Sequence, residues 1–333
     1  MFKINKSIIM VLGSLLIVSS ANCVMASESS QKAPIRLGMI GLDTSHVIAF
    51  TQRFNDPNNS EYVPGFKVVA GFKGGSADIP SSADRVDGYT KKLEDDWGVK
   101  IYDSVKELCQ NVDGVLIESV DGRPHLGYAR EVIKAGLPFF VDKPVGGTYE
   151  DVLEIAKLAK KANVPWFGGS SLRWWSGMSD ALNPEKIGEV LGCDAYSPCS
   201  YEKSHPDLFW YGVHGMSLLY GAMGPGCKSV SRTHTEDTDV VVGVWDDGRI
   251  GTFRGLRAGK HNYGARIYGS KGNSTVEGHS YKGLLEAISN FFKTKKPPIS
   301  AEEIVEIYAF MNCADISKQQ GGKPVDLPKI SLD

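Results

Sequence analysis

Residues 41–46 of the chain read GLDTSH, between an apolar run, IRLGMI, and a helix-forming one, HVIAFTQRF. This is the place where a G-x-G-x-x-G loop holds a pyrophosphate: the first glycine makes the turn, the second lets backbone approach phosphate, and the third packs helix against strand. Gly41 supplies the first, while Asp43 and His46 stand at the other two. A carboxylate at the second position faces the helix N-terminus, where an anion would sit, so Asp43 opposes tight pyrophosphate binding. Asp43, Thr44 and Ser45 are also preferred N-cap residues, and one of them is expected to cap a helix beginning at His46. Because the loop lies at the carboxyl end of the first strand, Gly41, Asp43, Thr44, Ser45 and His46 are the first candidates for cofactor binding. The ribose-binding carboxylate expected at the end of the second strand is missing from VVAGFKGGS. Lys73 stands there instead; it either receives a 2′-phosphate, favouring NADP over NAD, or is a solvated surface lysine.

Two later stretches, SSLRWW (170–175) and YEKSHPDLFWYGVH (201–214), mix aromatic rings with cations and imidazoles. Such surfaces suit sugars, whose C–H faces stack while their hydroxyls hydrogen-bond. Arg173, Trp174, Tyr201, Lys203, His205 and Tyr211 are the candidate substrate residues, although the same types also build cores. His214 titrates near working pH and is a candidate acid or base, or a histidine satisfied within its helix. His205, Asp207 and His214, with Glu202 nearby, match no standard ligand spacing, and no metal site is expected.

The elements that must position these groups follow from periodicity. IRLGMI (35–40), FKVVAGF (66–72), DGVLIES (113–119), PFFVD (138–142) and VPWFGG (164–169) read as strands, alternating with amphipathic helical segments at 46–54, 124–136 and 149–164. Strands alternating with crossover helices make a parallel, doubly wound α/β sheet. Beyond residue 170 the pattern changes to strand-like runs at 192–202, 227–235, 238–245, 249–257 and 265–270, with an Asp247-Gly248 hairpin turn, and an antiparallel sheet is expected. Helices interrupt it at 211–223, 284–292 and 301–322. The expected division is a Rossmann-type domain over 34–145 and a C-terminal α+β domain over 146–333, whose helix 301–320 packs back on the first. The cleft between them is the default binding site.

Composition narrows the partners. With 37 basic and 39 acidic residues, the formal charge is −2, so no global field recruits nucleic acid or an anionic membrane. Residues 1–26 carry Lys3 and Lys6 ahead of a short apolar run and end in Val24-Met25-Ala26, the pattern of a signal peptide. A periplasmic or secreted protein without a stable membrane span is expected, cleaved near Ala26. Five cysteines remain after cleavage, an odd number at irregular spacings, so buried free thiols are favoured over a disulfide framework, with a Cys193–Cys199 bridge as the conceivable exception.

By PFFVDKPVGG the chain resembles the Gfo/Idh/MocA family of oxidoreductases. The likeness extends over the Rossmann half, the segment DGVLIES to His125, a D-K-P in place of the family's E-K-P, and the antiparallel C-terminal region. It implies NAD(P)-dependent chemistry on sugars, inositols or related polyols, with Lys143 between nicotinamide and substrate as the proton-handling group. Pro144 fixes the chain just beyond it. The resemblance adds Ser119, Asp121 and His125 to the cofactor-binding set and His214 beside Lys143 as catalytic, although Trp210 stands where the family commonly has an aspartate. It also implies a homo-oligomer paired through the second sheet. Two alternatives stay open: a nucleotide-independent lyase, epimerase or hydrolase on a keto-glycoside, because Asp43 and His46 replace glycines, and a non-catalytic periplasmic sugar-binding protein.

Overall fold

The computed structural model describes residues 33–278 and 280–333; the signal-peptide expectation therefore lies outside the described residues. The first half runs β1 (Ile35–Ile40), α1 (Ser45–Asn55), β2 (Phe66–Phe72), α2 (Pro80–Ala83), α3 (Val86–Trp97), β3 (Lys100–Ile101), α4 (Val105–Cys109), β4 (Gly114–Ile117), α5 (His125–Lys134), β5 (Phe139–Val141), α6 (Tyr149–Ala162) and β6 (Trp166–Gly168). The strands form one parallel sheet in the order β3-β2-β1-β4-β5-β6. Its central strands are buried on both faces, which is why β1, β4 and β5 read as continuous rather than alternating apolar runs. Strand order reverses between β1 and β4, so the switch-point crevice opens at the carboxyl ends of those two strands. The sixth strand carries the sheet to Gly168, past the boundary expected at residue 145.

The second half begins with a 3-10 turn (Ser171–Trp174) and continues α7 (Ser176–Ala181), α8 (Pro184–Ile187), β7 (Val190–Pro198), α9 (Asp207–Trp210), α10 (Gly212–Met223), β8 (Cys227–His234), β9 (Thr238–Trp245), β10 (Ile250–Leu256), β11 (Gly264–Gly269), β12 (Asn273–Glu277), α11 (Lys282–Thr294), α12 (Ala301–Gln319) and β13 (Val325–Asp326). Its seven strands lie in the order β12-β11-β7-β10-β9-β8-β13. All neighbours are antiparallel except β7 and β10, which pair in parallel. Helix α10 lies very close on this sheet: a Cβ on Gly215 would fall 2.1 Å from the Phe253 ring. That approach fixes the start of α10, and with it His214.

Helix α12 packs on β8 and also on α6 of the first half, where the Val145 amide donates to the Tyr308 hydroxyl at 2.6 Å. Arg232 of β8, wholly buried, ties β9, α9 and α12 together through Asp239 (2.8 Å), Asp207 (2.9 Å) and Asp315. Tyr201 belongs to this knot: its hydroxyl accepts from Arg232 and donates to Asp239. Burial pushes the Asp315 carboxyl up to about 7 against the pull of Arg232.

The five cysteines among the described residues are buried and free. Six positions of extended chain separate Cys193 from Cys199, roughly 20 Å at strand rise and far beyond disulfide reach. Burial pushes both thiols, and that of Cys227, up to about 12. No helix among the described residues is long and apolar enough to cross a membrane.

Removing one partner from a buried ion cluster leaves charges without compensation and costs about 3–5 kcal/mol. Arg232→Met is expected to lose stability on that scale, read as the shift in urea midpoint at constant slope. An unmoved midpoint contradicts the assignment of the knot as a structural tie.

Candidate active site

A cavity of about 260 Å³ opens between the two sheets. One wall is the start of α1, with Thr44, Ser45 and His46. Lys143 enters just past the end of β5, and Ser81 with Arg85 comes from the segment after β2. The second half contributes Ser171, Leu172, Trp210, Tyr211, His214, Tyr263 and Tyr281. Lys143 is 8% exposed, with Nζ 5.5 Å from the centre of the Tyr211 ring; its bond to Pro144 is cis. His214 Nδ1 lies 2.8 Å from Ser170 Oγ, and Tyr211 and Tyr263 meet its ring edge-on. Lys143 and His214 thus share one cavity.

Behind Lys143 the chemistry turns acidic. Asp142 is buried, and its Oδ2 accepts from His46 Nδ1 at 2.5 Å, which leaves Nε2 as the basic nitrogen of a ring that lines the cavity. Phe50 stacks on that ring and Tyr281 meets it edge-on. Burial raises the Asp142 carboxyl, but the His46 imidazole and the Lys143 ammonium hold it below its ordinary range. Glu118 is fully buried, and neither of its oxygens has a hydrogen-bond partner among the described residues. Burial and the Asp142 charge push its carboxyl well up, against Lys143.

His46, Glu118 and Asp142 are also a set of donors near enough to share an ion. Their spacing argues for a hydrogen bond instead. Two ligands each about 2 Å from a tetrahedral metal lie more than 3 Å apart, and the His46–Asp142 contact is shorter.

The glycine-loop residues have been put to structural use. Gly41 adopts φ +84°, and a Cβ there would fall 1.9 Å from Ser119 Oγ, so only glycine lets the loop settle on that serine. Thr44 is the N-cap and the helix begins at Ser45, one residue before the expected start. Asp43 is wholly buried: one carboxylate oxygen accepts from the Val120 amide at 2.8 Å and the other from the Ser82 hydroxyl at 2.5 Å. Asp121 accepts from Ser76 and pairs with Arg123 (2.7 Å). Burial works against its ionisation, but His205, Arg123 and Ser76 hold its carboxyl far below the usual range. His125 is buried with Nε2 3.1 Å from the Ser119 carbonyl. Lys73, half-exposed, pairs with Asp87 at 2.5 Å.

Most of the expected substrate residues stand elsewhere, and the structure corrects those expectations. Only Tyr211 lines the cavity. Arg173 is paired with Glu303 (2.5 Å), and with Trp174 lines a separate surface hollow beside α11. Tyr201 serves the Arg232 knot, Lys203 is exposed in a turn, and His205 packs on Trp210 with Nε2 3.1 Å from the Gly122 amide. Ser81, Arg85, Ser171, Tyr263 and Tyr281 were not legible as site residues. They come from loops and element ends with no periodicity, gathered from across the chain.

Whether a dinucleotide fits turns on residues 76–85. Ile79 is wholly buried against Val120 and Trp210, Ser82 bonds Asp43, Ser76 bonds Asp121, and Asp78 pairs with Arg123. The segment therefore lies over the carboxyl ends of β1 and β4, the place where an α/β sheet takes its nucleotide. An extended dinucleotide lying across this crevice would have to displace the strap.

A doubly wound sheet with a lysine past the end of β5, closed by a second, mainly antiparallel sheet, defines a two-sheet fold of the Rossmann type. Residues 35–169 match the model of the GFO_IDH_MocA oxidoreductase family, NAD-binding Rossmann fold. An uncharacterized oxidoreductase of Streptococcus pneumoniae serotype 4 is 25% identical over 227 residues, covering 58% of this chain and 60% of that relative's length. The fold resembles scyllo-inositol dehydrogenase of Lactobacillus casei with bound NAD(H) and scyllo-inositol (TM-score 0.72, 14% identity, 88% of this chain and 99% of that one). It also resembles myo-inositol 2-dehydrogenase of Lactobacillus plantarum (TM-score 0.69, 18% identity, 89% and 100%).

Glu118 supplies a pH test. Its folded pKa is raised, so the folded state holds a proton that the unfolded chain releases, and stability falls as pH rises above about 4.3 towards the folded value. Glu118→Gln is expected to remove that decline, roughly 1 kcal/mol per pH unit at its steepest. Urea unfolding of both proteins between pH 5 and pH 8 checks it; parallel profiles contradict it.

Proposed function

We propose that the chain is an oxidoreductase acting on the carbinol or keto carbon of a sugar or polyol, with Lys143 managing the proton of the reacting oxygen. The observation that carries this reading is the meeting of Lys143, His214 and His46 in one aromatic-walled cavity. The match of residues 35–169 to an NAD-binding Rossmann oxidoreductase family supports NAD(P) as the redox partner supplying hydride, as does a fold neighbour described with bound NAD(H). NADP over NAD would require Lys73 to exchange Asp87 for a 2′-phosphate.

The chain's own residues have separable tasks. The Lys143 ammonium donates a hydrogen bond to the substrate oxygen; as a carbonyl becomes a hydroxyl, an Nζ–H bond breaks and the proton passes to oxygen, and the reverse holds for oxidation. His214, held at Nδ1 by Ser170, and His46, held at Nδ1 by Asp142, offer Nε2 as proton partners. Tyr211, Tyr263, Tyr281 and Trp210 give ring faces and edges for sugar C–H groups and exclude water.

One observation favours a second reading. The strap over the switch point and the engagement of Asp43 suit a nucleotide-independent lyase, epimerase or hydrolase acting on a keto-glycoside, in which the same amine and imidazoles serve as acid and base beside an acidified C–H. Residues 1–26 support export, where free nucleotide is scarce. Ile250 pairs opposite Val244, and both are exposed with Leu191, which supports pairing of the second sheet between copies.

Fluorescence titration of the mature protein with NADH and NADPH separates the readings: micromolar binding supports the first, and none up to millimolar removes it. Turnover of a keto-glycoside without nucleotide selects the second. In either, Lys143→Ala is expected to lower kcat by about 10²–10⁴-fold, with sugar affinity changed only a few-fold. An active Lys143→Ala enzyme overturns both.

A further inference from the structure

We propose that the cavity takes a sugar bearing an anionic group, held by Arg85 and the N-terminus of α1, which leaves Lys143 for the reacting oxygen. The inference deepens the sugar-cleft reading and rests on it. Among the lining residues are two basic side chains besides the histidines, Arg85 and Lys143, and no Asp or Glu. The nearest acids stand behind the wall, Asp142 bound to His46 and Glu118 fully enclosed.

Arg85 is set apart from other partly buried arginines of the chain. Arg53, Arg173 and Arg232 each meet a carboxylate. Arg85 Nε donates to the Ser81 carbonyl, and its Nη groups meet no partner among the described residues. A guanidinium fork anchored at Nε and left open at its Nη atoms presents the geometry that receives a carboxylate or phosphate. Across the cavity, the first turn of the eleven-residue α1 adds the positive end of its dipole and the exposed Ser45. An uncharged sugar would leave the open Nη groups of the partly buried Arg85 without a partner in a cavity whose lining holds no carboxylate, an arrangement that costs free energy. An anion on the ligand relieves it.

Calorimetric titration of the full mature protein with glucuronate, its uncharged methyl ester and glucose 6-phosphate tests this. At least one anion is expected to bind about tenfold or more tightly than the ester, with the advantage shrinking as salt rises. Which anion prevails distinguishes a carboxylate from a phosphate. Arg85→Gln is expected to erase the preference, lowering affinity for the favoured anion at least about tenfold more than for the ester, and Arg85→Lys to retain part of it; far-UV circular dichroism verifies that both variants fold. Equal binding of ester and acids, or a preference that survives Arg85→Gln, overturns the proposal while leaving the sugar-cleft reading intact. Binding of none of the three overturns both.

Discussion

Asp43 occupies the floor of the crevice with both carboxylate oxygens engaged, one by the Val120 amide and one by the Ser82 hydroxyl. A buried carboxylate must find such donors or be expelled, and here it finds one on the loop after β4 and one on the strap. That single side chain therefore holds three segments in register: the turn after β1, the turn after β4 and residues 76–85. Ile79 can then settle against Val120 and Trp210, and Ser81 and Arg85 reach the cavity wall. The loop after β1 is thus tied to the turn after β4 and to the strap by the chain's own carboxylate.

The Lys143 side of the cavity is built on a second set of buried charges. Asp142 lies between an imidazole and an ammonium, and its negative charge is retained because both stand close. Glu118, next to it, has no hydrogen-bond partner on either oxygen among the described residues, and burial with the Asp142 charge drives it towards its neutral form against the pull of Lys143. One carboxyl ionised and one protonated within a few ångströms is the arrangement that like charges in a low-dielectric site enforce. It orients His46 without placing a further negative charge on the cavity wall.

Much of the architecture could be read in advance because its periodicity is strong. β1 and β2 have the bounds that IRLGMI and FKVVAGF suggested, and the shift from buried runs to alternating strands after residue 170 marks the change of sheet. The parallel pairing of β7 with β10 was illegible, since strand patterns carry no direction. Within the site, Lys143 and His214 were legible because each follows a recognisable element, as were the residues of GLDTSH. The aromatic cluster around residues 170–205 misled because rings and cations also make knots: Tyr201 went to Arg232 and Arg173 to Glu303. Arg85 and Tyr281 gave no local sign, because only the folded chain brings them to Lys143.

Trp210 belongs to the second half of the chain, yet Ile79 of the first half is buried against it. Lifting the strap therefore exposes an indole and an isoleucine together and breaks a contact between the two halves of the chain. A dinucleotide entering this crevice meets a latch, and its apparent affinity is the intrinsic one discounted by the fraction of molecules in which that latch stands open.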